Sequence, residues 1–260
     1  MKTSGPVNTV SMLDRPHALS SVHYASLAKL EPSYWWHQSR LNWAKKIIRT
    51  HIREHSHLNV LDYGCGTGGF LHQLNSDMAF NSCLGVDVAD EAIKRAQTYP
   101  ENFKKIEPFD FSVIPGRDLI FLMDTLEHIE HDADFLKKII SNMDNEAHLL
   151  ISVPAFSCLY SSWDDTLGHH RRYERKGITQ LADDAGGCII FNEYTFSYLY
   201  PVIVFKRIVA QAKYVDDNCE FPPVPYLLNG LLLGLNRLEM WGSKYLRPPL
   251  GSSLFCLIQK

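Results

Sequence analysis

The residues best suited to chemistry fall in two stretches of the chain. The first is Val60-Leu61-Asp62-Tyr63-Gly64-Cys65-Gly66-Thr67-Gly68-Gly69-Phe70, where an apolar run ends in a carboxylate and leads into closely spaced glycines. Such glycines let a chain turn tightly with positive φ and let a ligand approach the backbone. Gly64, Gly66 and Gly69 by themselves satisfy the G-x-G-x-x-G spacing of a dinucleotide loop. Asp62, just ahead of them, would repel a pyrophosphate and suits a ligand bearing an ammonium and a sulfonium. A second acid, Asp87, ends the next apolar run, Leu84-Gly85-Val86-Asp87-Val88, where it can hold both hydroxyls of a ribose. Asp87 fits a nicotinamide dinucleotide equally well; it is Asp62, together with the motifs downstream of Asp87, that separates the cases.

The second stretch is Ser161-Ser162-Trp163-Asp164-Asp165-Thr166-Leu167-Gly168-His169-His170-Arg171-Arg172-Tyr173. A histidine exchanges its proton near neutral pH, so His169 suits a general base that deprotonates a bound molecule. Two other readings fit the same residues. Arg171 and Arg172 can bind Asp164, Asp165 or backbone carbonyls and fix the loop, with His169 as a hydrogen-bonding strut, or an arginine can grip an acidic substrate.

Alternating elements must position these residues. Leu41 to His55 has a helical pattern, Leu58 to Asp62 reads as a buried strand, and Gly69 to Leu74 opens a helix. Cys83–Val88, Asp118–Met123 and His148–Val153 read as strands, separated by helices over Asp90–Gln97 and Ala133–Met143. That rhythm predicts a parallel sheet covered on both faces, with ligands at the carboxyl edge. The rhythm then changes. Cys188–Phe196 and Ser253–Ile258 read as strands, with apolar helical stretches Tyr198–Ala212 and Tyr226–Tyr245 between them. On the second helix Leu228, Leu231, Leu232, Leu235, Leu238, Trp241 and Tyr245 make one wide apolar face.

A net charge of -3 supplies no field to draw in nucleic acid, and no uninterrupted apolar run approaches a membrane span. The six cysteines form no C-x-x-C pair, which suits a reduced, cytoplasmic setting. The first 20 residues lack the apolar stretch of a signal peptide.

Over residues 34–196 the chain resembles the class I S-adenosylmethionine-dependent methyltransferases. Asp62-x-Gly64-x-Gly66-x-Gly68 is similar to their first motif, Asp87 to their ribose-binding acid, and Asp110-Phe111 to the pair that binds the adenine ring. Asp118 to Ile129, with its Leu126-Glu127-His128 turn, is similar to the fourth strand of a small-molecule subgroup. Asp164 to Tyr173 resembles a "D…LGHxRRY" pattern found in one branch, with His169 at the pattern's histidine. Where relatives carry a Gly-rich turn before the fifth strand, this chain has Asp144-Asn145-Glu146, which is still turn chemistry.

The resemblance implies a Rossmann-like, seven-stranded, mostly parallel sheet with helices on both faces, its last strand inserted antiparallel, plus a helical insertion between the last two strands. It implies S-adenosyl-L-methionine as cofactor, held by Asp62, Gly64, Gly66, Gly68, Asp87, Val88, Asp110, Phe111 and Met123. Trp36 and Arg40 belong to a segment that folds over the cofactor in similar enzymes, with Arg40 available to its carboxylate; the two tryptophans, Trp35 and Trp36, suit packing on the sheet edge equally well. A distant likeness to ubiquinone-type O-methyltransferases raises a divalent metal at Asp124, Glu127 and His128, although this turn is common in metal-independent members and no metal is expected. The expected organisation is an N-terminal arm over 1–32, the cofactor domain over 33–196, the helical insertion over 197–252 and a last strand over 253–260. The expected reaction is methyl transfer to an oxygen or nitrogen of a small, apolar or aromatic molecule, with a non-catalytic cofactor-binding subunit as the alternative. The insertion is expected to roof the acceptor pocket. A dimer interface, a membrane-surface contact or plain core remain its other readings.

Overall fold

The structure is a computed structural model and describes residues 21–55, 57–209 and 224–260. Most of the expected N-terminal arm, and the connection at 210–223 that includes Cys219, lie outside the described residues.

Seven strands form one sheet: β1 (Asn59–Tyr63), β2 (Ser82–Asp87), β3 (Asn102–Lys105), β4 (Leu119–Met123), β5 (His148–Pro154), β6 (Cys188–Thr195) and β7 (Ser253–Gln259). Their order is β3-β2-β1-β4-β5-β7-β6. The first five are parallel, and β7 runs antiparallel between β5 and β6. This is the Rossmann-like methyltransferase architecture. Every side chain of β4, Leu-Ile-Phe-Leu-Met, is buried, as a central parallel strand covered on both faces requires. The strand order reverses between β1 and β4, which opens a crevice at their carboxyl ends.

The helices fill the two faces. On one, Phe135, Leu136 and Ile139 of α5 (Asp132–Asn142) and Ile178 of α7 (Arg175–Asp184) pack on Leu61, Ile120 and Ile151. On the other, Trp43 and Ile47 of α2 (Trp35–His51), Leu71 of α3 (Gly69–Met78) and Ile93 of α4 (Asp90–Ala96) pack on Val60, Phe121 and Leu257. The remaining helices are α1 (Ser21–Leu30), α6 (Ser162–Leu167), α8 (Tyr200–Val209) and α9 (Tyr226–Gly242).

Three expectations need correction. Residues 21–30 of the expected arm form α1, and its His23 and Tyr24 are buried because the helix closes over the crevice. The second concerns α9, which does not roof the cavity. It docks on the outside of α2 through the side that carries Asn229, Leu232, Asn236 and Met240: Trp43 Nε1 donates to Asn236 Oδ1 at 3.0 Å, and Trp35 N donates to Asn229 Oδ1 at 2.8 Å. A buried asparagine must find its partners, so Asn236, with half-buried Asn229 beside it, chooses the packed face and turns much of the leucine face outward. The third is only an alternative, the grip of Arg171 or Arg172 on an acidic acceptor; both instead fix the loop, Arg171 also donating to Glu130 O at 2.6 Å. Arg171 pairs with Asp132 at 2.5 Å and Arg172 is tied to Asp164.

Candidate active site

A cavity of about 950 Å³ lies at the carboxyl ends of β1, β2, β4 and β5. That is near the top of the roughly 300–1,000 Å³ range of small-molecule sites. One end is built by the β1–α3 turn. Gly64 has φ +84°, and a Cβ there would lie 2.6 Å from Thr125 Oγ1, so both conformation and space demand glycine. At Gly69 a Cβ would collide with Glu31 Oε2. Asp87 closes the turn: its carboxylate accepts from Gly66 N and Ala89 N, both at 2.9 Å.

Three acids converge here. Asp62 is buried, its Oδ1 has no hydrogen-bond partner among the described residues, and burial pushes its pKa up to about 7 against the pull of Arg40. Glu31 is also pushed by burial to about 7, although Thr67 Oγ1 donates to it at 2.6 Å. Burial raises Asp87 as well. A buried carboxylate in this condition is relieved either by a proton or by a bound cation. The set therefore fits the ammonium and sulfonium of S-adenosylmethionine, with Asp87 at the strand end where a ribose would be held.

Several residues singled out from sequence line the cavity: Trp36, Arg40, Asp62, Gly64, Gly66, Asp87, Val88, Met123 and His169. Arg40 stacks on the Trp36 ring at 4.5 Å and pairs with Asp124 at 2.8 Å. Asp124 has φ +54°, a strained conformation for a non-glycine residue, and Ser152 Oγ donates to its Oδ1 at 2.9 Å. Gly68 sits outside the wall, at the start of α3 against Phe103 and Ala96. Asp110 and Phe111 are also outside it. Asp110 caps a 3-10 turn through Ser112, Phe111 stacks on Tyr63, and Ile106, Pro108 and Phe109 form the wall in their place.

The other end is built by the loop between β5 and α7. His169 Nδ1 is 3.0 Å from Asp164 Oδ1. Arg172 donates to both Asp164 oxygens, at 2.8 and 3.0 Å. Burial opposes ionisation of Asp164, but the hydrogen bonds from His169 and Arg172 outweigh it and hold the pKa at about 2. An ionised Asp164 accepts a hydrogen bond from Nδ1–H, which leaves Nε2 as the nitrogen with the free lone pair. Nε2 lies 4.0 Å from Glu127 Oε1, beyond hydrogen-bond range. Glu127 is fully buried, and burial, with repulsion from Asp124, raises its pKa well above the usual carboxylate range. The His128 ring meets the His169 ring edge-on at 4.8 Å, and burial lowers His128 to about 4.

Glu127, His128 and His169 present ligand atoms within 4.8 Å of one another, so a metal could be held here. The set differs from the one raised by resemblance, because Asp124 is engaged with Arg40 and His169 arrives from another loop.

Sequence reading missed Glu31, the α1 residues Tyr24 and Leu27, and Phe109, all of which line the cavity. No spacing marked them, since each reaches the site by tertiary packing. Asp164 was weighed only as an arginine partner, although its place five residues before His169 on a short helical turn was a usable signal.

The model of the methyltransferase domain family matches residues 35–192. A ubiquinone biosynthesis O-methyltransferase of Rickettsia bellii is 24% identical over 154 residues, covering 52% of this chain. The match spans 63% of that protein's own length. Among solved structures, a SAM-dependent methyltransferase from Archaeoglobus fulgidus superposes with a TM-score of 0.54 at 17% identity, covering 85% of this chain and 94% of its own. The [4+2]-cyclase SpnF superposes with a TM-score of 0.58 at 15% identity, covering 95% and 98%. At such identities the likeness is one of fold. With a cyclase among the neighbours, the reaction must be argued from the site.

Proposed function

The chain belongs to the methyltransferase domain family, and from that premise we propose that it methylates an oxygen or nitrogen of a small apolar or aromatic molecule, with His169 as general base. The family is shown by the match over residues 35–192; S-adenosylmethionine-dependent methyl transfer, the acceptor and the residue roles are the proposed part. The observation that carries the reading is His169 in the wall of the same cavity as the acids of the glycine turn, with Asp164 paired to its Nδ1.

Bound S-adenosylmethionine supplies a methyl carbon already activated by its sulfonium. Asp62, Glu31 and the β1–α3 turn would hold its methionine part, and Asp87 its ribose. Trp163 and Leu167 of α6 and Ile203 of α8 give the wall an apolar side, which suits an aromatic or aliphatic acceptor. Deprotonation of the acceptor at His169 Nε2 would leave an imidazolium stabilised by Asp164. Water exclusion and positioning do the rest. The free thiols of Cys65, Cys83, Cys158, Cys188 and Cys256 support a cytoplasmic setting.

The test is a panel of phenols, aromatic acids and amines, followed by S-adenosylhomocysteine release from wild type and His169→Ala. Turnover of a phenol or amine that His169→Ala loses supports the reading. Turnover undiminished in the variant removes His169 as the base.

The cluster of Glu127, His128 and His169 favours one second reading, a metal-assisted O-methyltransferase. His128, held neutral by burial, is ready to ligate, whereas Glu127 would first have to lose a proton. Calorimetric titration with Mg²⁺ and Zn²⁺ separates the two. Binding that His128→Ala abolishes selects the metal, and no binding leaves His169 as the base.

A further inference from the structure

The face that α9 leaves uncovered has an organisation of its own. Leu227, Leu231, Leu238, Trp241 and Tyr245 recur at helical steps, with Gly234 in the one gap, and form a single stripe. All five are exposed, Leu238 and Trp241 each at 62%. The packed side of the same helix holds Asn229, Leu232, Asn236 and Met240, so the stripe is not surface left over from that packing. On α8, Val202 and Phe205 are also exposed, while Ile203 between them reaches the cavity wall. Tyr198, just before α8, donates to Leu232 O of α9 at 3.5 Å, which brings the two helices together.

Charge indicates what the face meets. From Tyr226 to Leu250 the basic residues Arg237, Lys244 and Arg247 are all exposed, and Arg247 is paired with Glu193 at 2.9 Å, which leaves Arg237 and Lys244 as the basic edge of the stripe. The one acid in that span, Glu239, is turned inward, where it accepts from Phe196 N at 2.9 Å and Ser197 N at 2.7 Å. A second copy docking here about a two-fold axis would bring the basic rim against itself. An apolar stripe with Trp and Tyr near a basic edge matches an anionic lipid surface, where the rings sit at headgroup level. Among the described residues no helix is long and apolar enough to cross a membrane, so the geometry is that of a helix lying on one.

We propose that α9 and the exposed side of α8 dock this protein on a membrane surface containing anionic lipid, with the cavity beside the bilayer. The docking rests on this face alone. That the acceptor is drawn from the bilayer rests on the apolar-acceptor reading above.

The test is flotation of the full chain with vesicles of phosphatidylcholine alone or with one part in three of phosphatidylglycerol. Binding is expected to the anionic vesicles and to weaken with added salt. Both Leu238→Glu/Trp241→Glu and Arg237→Ala/Lys244→Ala should reduce it by roughly tenfold or more. Neither pair lines the cavity, so S-adenosylhomocysteine binding by calorimetry should be unchanged in both, which shows that they fold. Wild type that stays with neither vesicle overturns the proposal, and so does a Leu238→Glu/Trp241→Glu variant that floats like wild type. A wild-type dimer that this variant turns into a monomer, with no vesicle binding, assigns the face to a second copy instead. Loss of S-adenosylhomocysteine binding in wild type would strike the cofactor-site reading and leave the flotation result standing.

Discussion

His169 and Asp164 are joined through Nδ1 and Oδ1 at 3.0 Å, and Arg172 grips the same carboxylate from its other side. The imidazole is thus held by a partner that stays ionised at any pH the protein will meet. Removing the ring should lower turnover by ~10²-fold or more while leaving S-adenosylhomocysteine affinity nearly unchanged. Asp164→Asn should lower turnover as well, because an amide can present its NH₂ to Nδ1 and favour the wrong tautomer. Steady-state kinetics on the true acceptor, paired with calorimetry, checks both. A His169→Ala enzyme that loses only stability would make the residue a strut.

At the other end of the cavity, Asp87→Ala removes the acceptor of two backbone N–H groups of the turn as well as the expected ribose contacts. Hydrogen bonds to a charged group contribute about 1.5–3 kcal/mol each, so cofactor affinity should fall by roughly tenfold to a hundredfold or more. Isothermal titration with S-adenosylhomocysteine measures it. An unchanged affinity would exclude Asp87 from the cofactor site.

Asp62 predicts a pH effect with a definite sign. Its pKa rises from 3.8 in the unfolded chain to about 7 when folded, because burial disfavours the carboxylate. The protonated form therefore favours folding below about pH 4, and that contribution is lost as pH climbs through 7. Asp62→Asn should match wild-type Tm near pH 4, exceed it increasingly up to about pH 7 and by a constant margin above that, while binding S-adenosylmethionine more weakly. In wild type, affinity for S-adenosylmethionine should increase from pH 6 to 8. Thermal melts across that range, with a Tm difference that does not change with pH, would refute the shift.

Asn236 fixes which side of α9 faces the protein. Asn236→Ala leaves the buried Trp43 indole N–H without its partner. That should cost about 1–3 kcal/mol of unfolding free energy, read from urea denaturation. A substitution at exposed Leu238, by contrast, should leave stability within about 0.5 kcal/mol.

What the sequence determined by itself is whatever chemistry is local. Asp62, Gly64 and Gly66 lie within one strand-to-helix turn, and Asp87 ends the adjacent parallel strand. Their types and spacing therefore carried both the fold class and the cofactor end of the cavity. The periodic apolar runs placed six of the seven strands for the same reason. β3, Asn102-Phe103-Lys104-Lys105, escaped because it is a short edge strand with a single buried side chain and no apolar run. Tertiary structure alone decided the rest. Glu127 and His128 come after β4, whereas Asp164 and His169 come after β5, and the 4.0 Å approach of Glu127 to His169 exists only because those strands pair. Periodicity gives α9 one wide apolar face, with Leu227 and Leu233 outside it, and does not say which part is covered. Buried Asn236 and half-buried Asn229, which had to reach α2, determined which side was covered, and that requirement becomes visible only when the partner helix is in place.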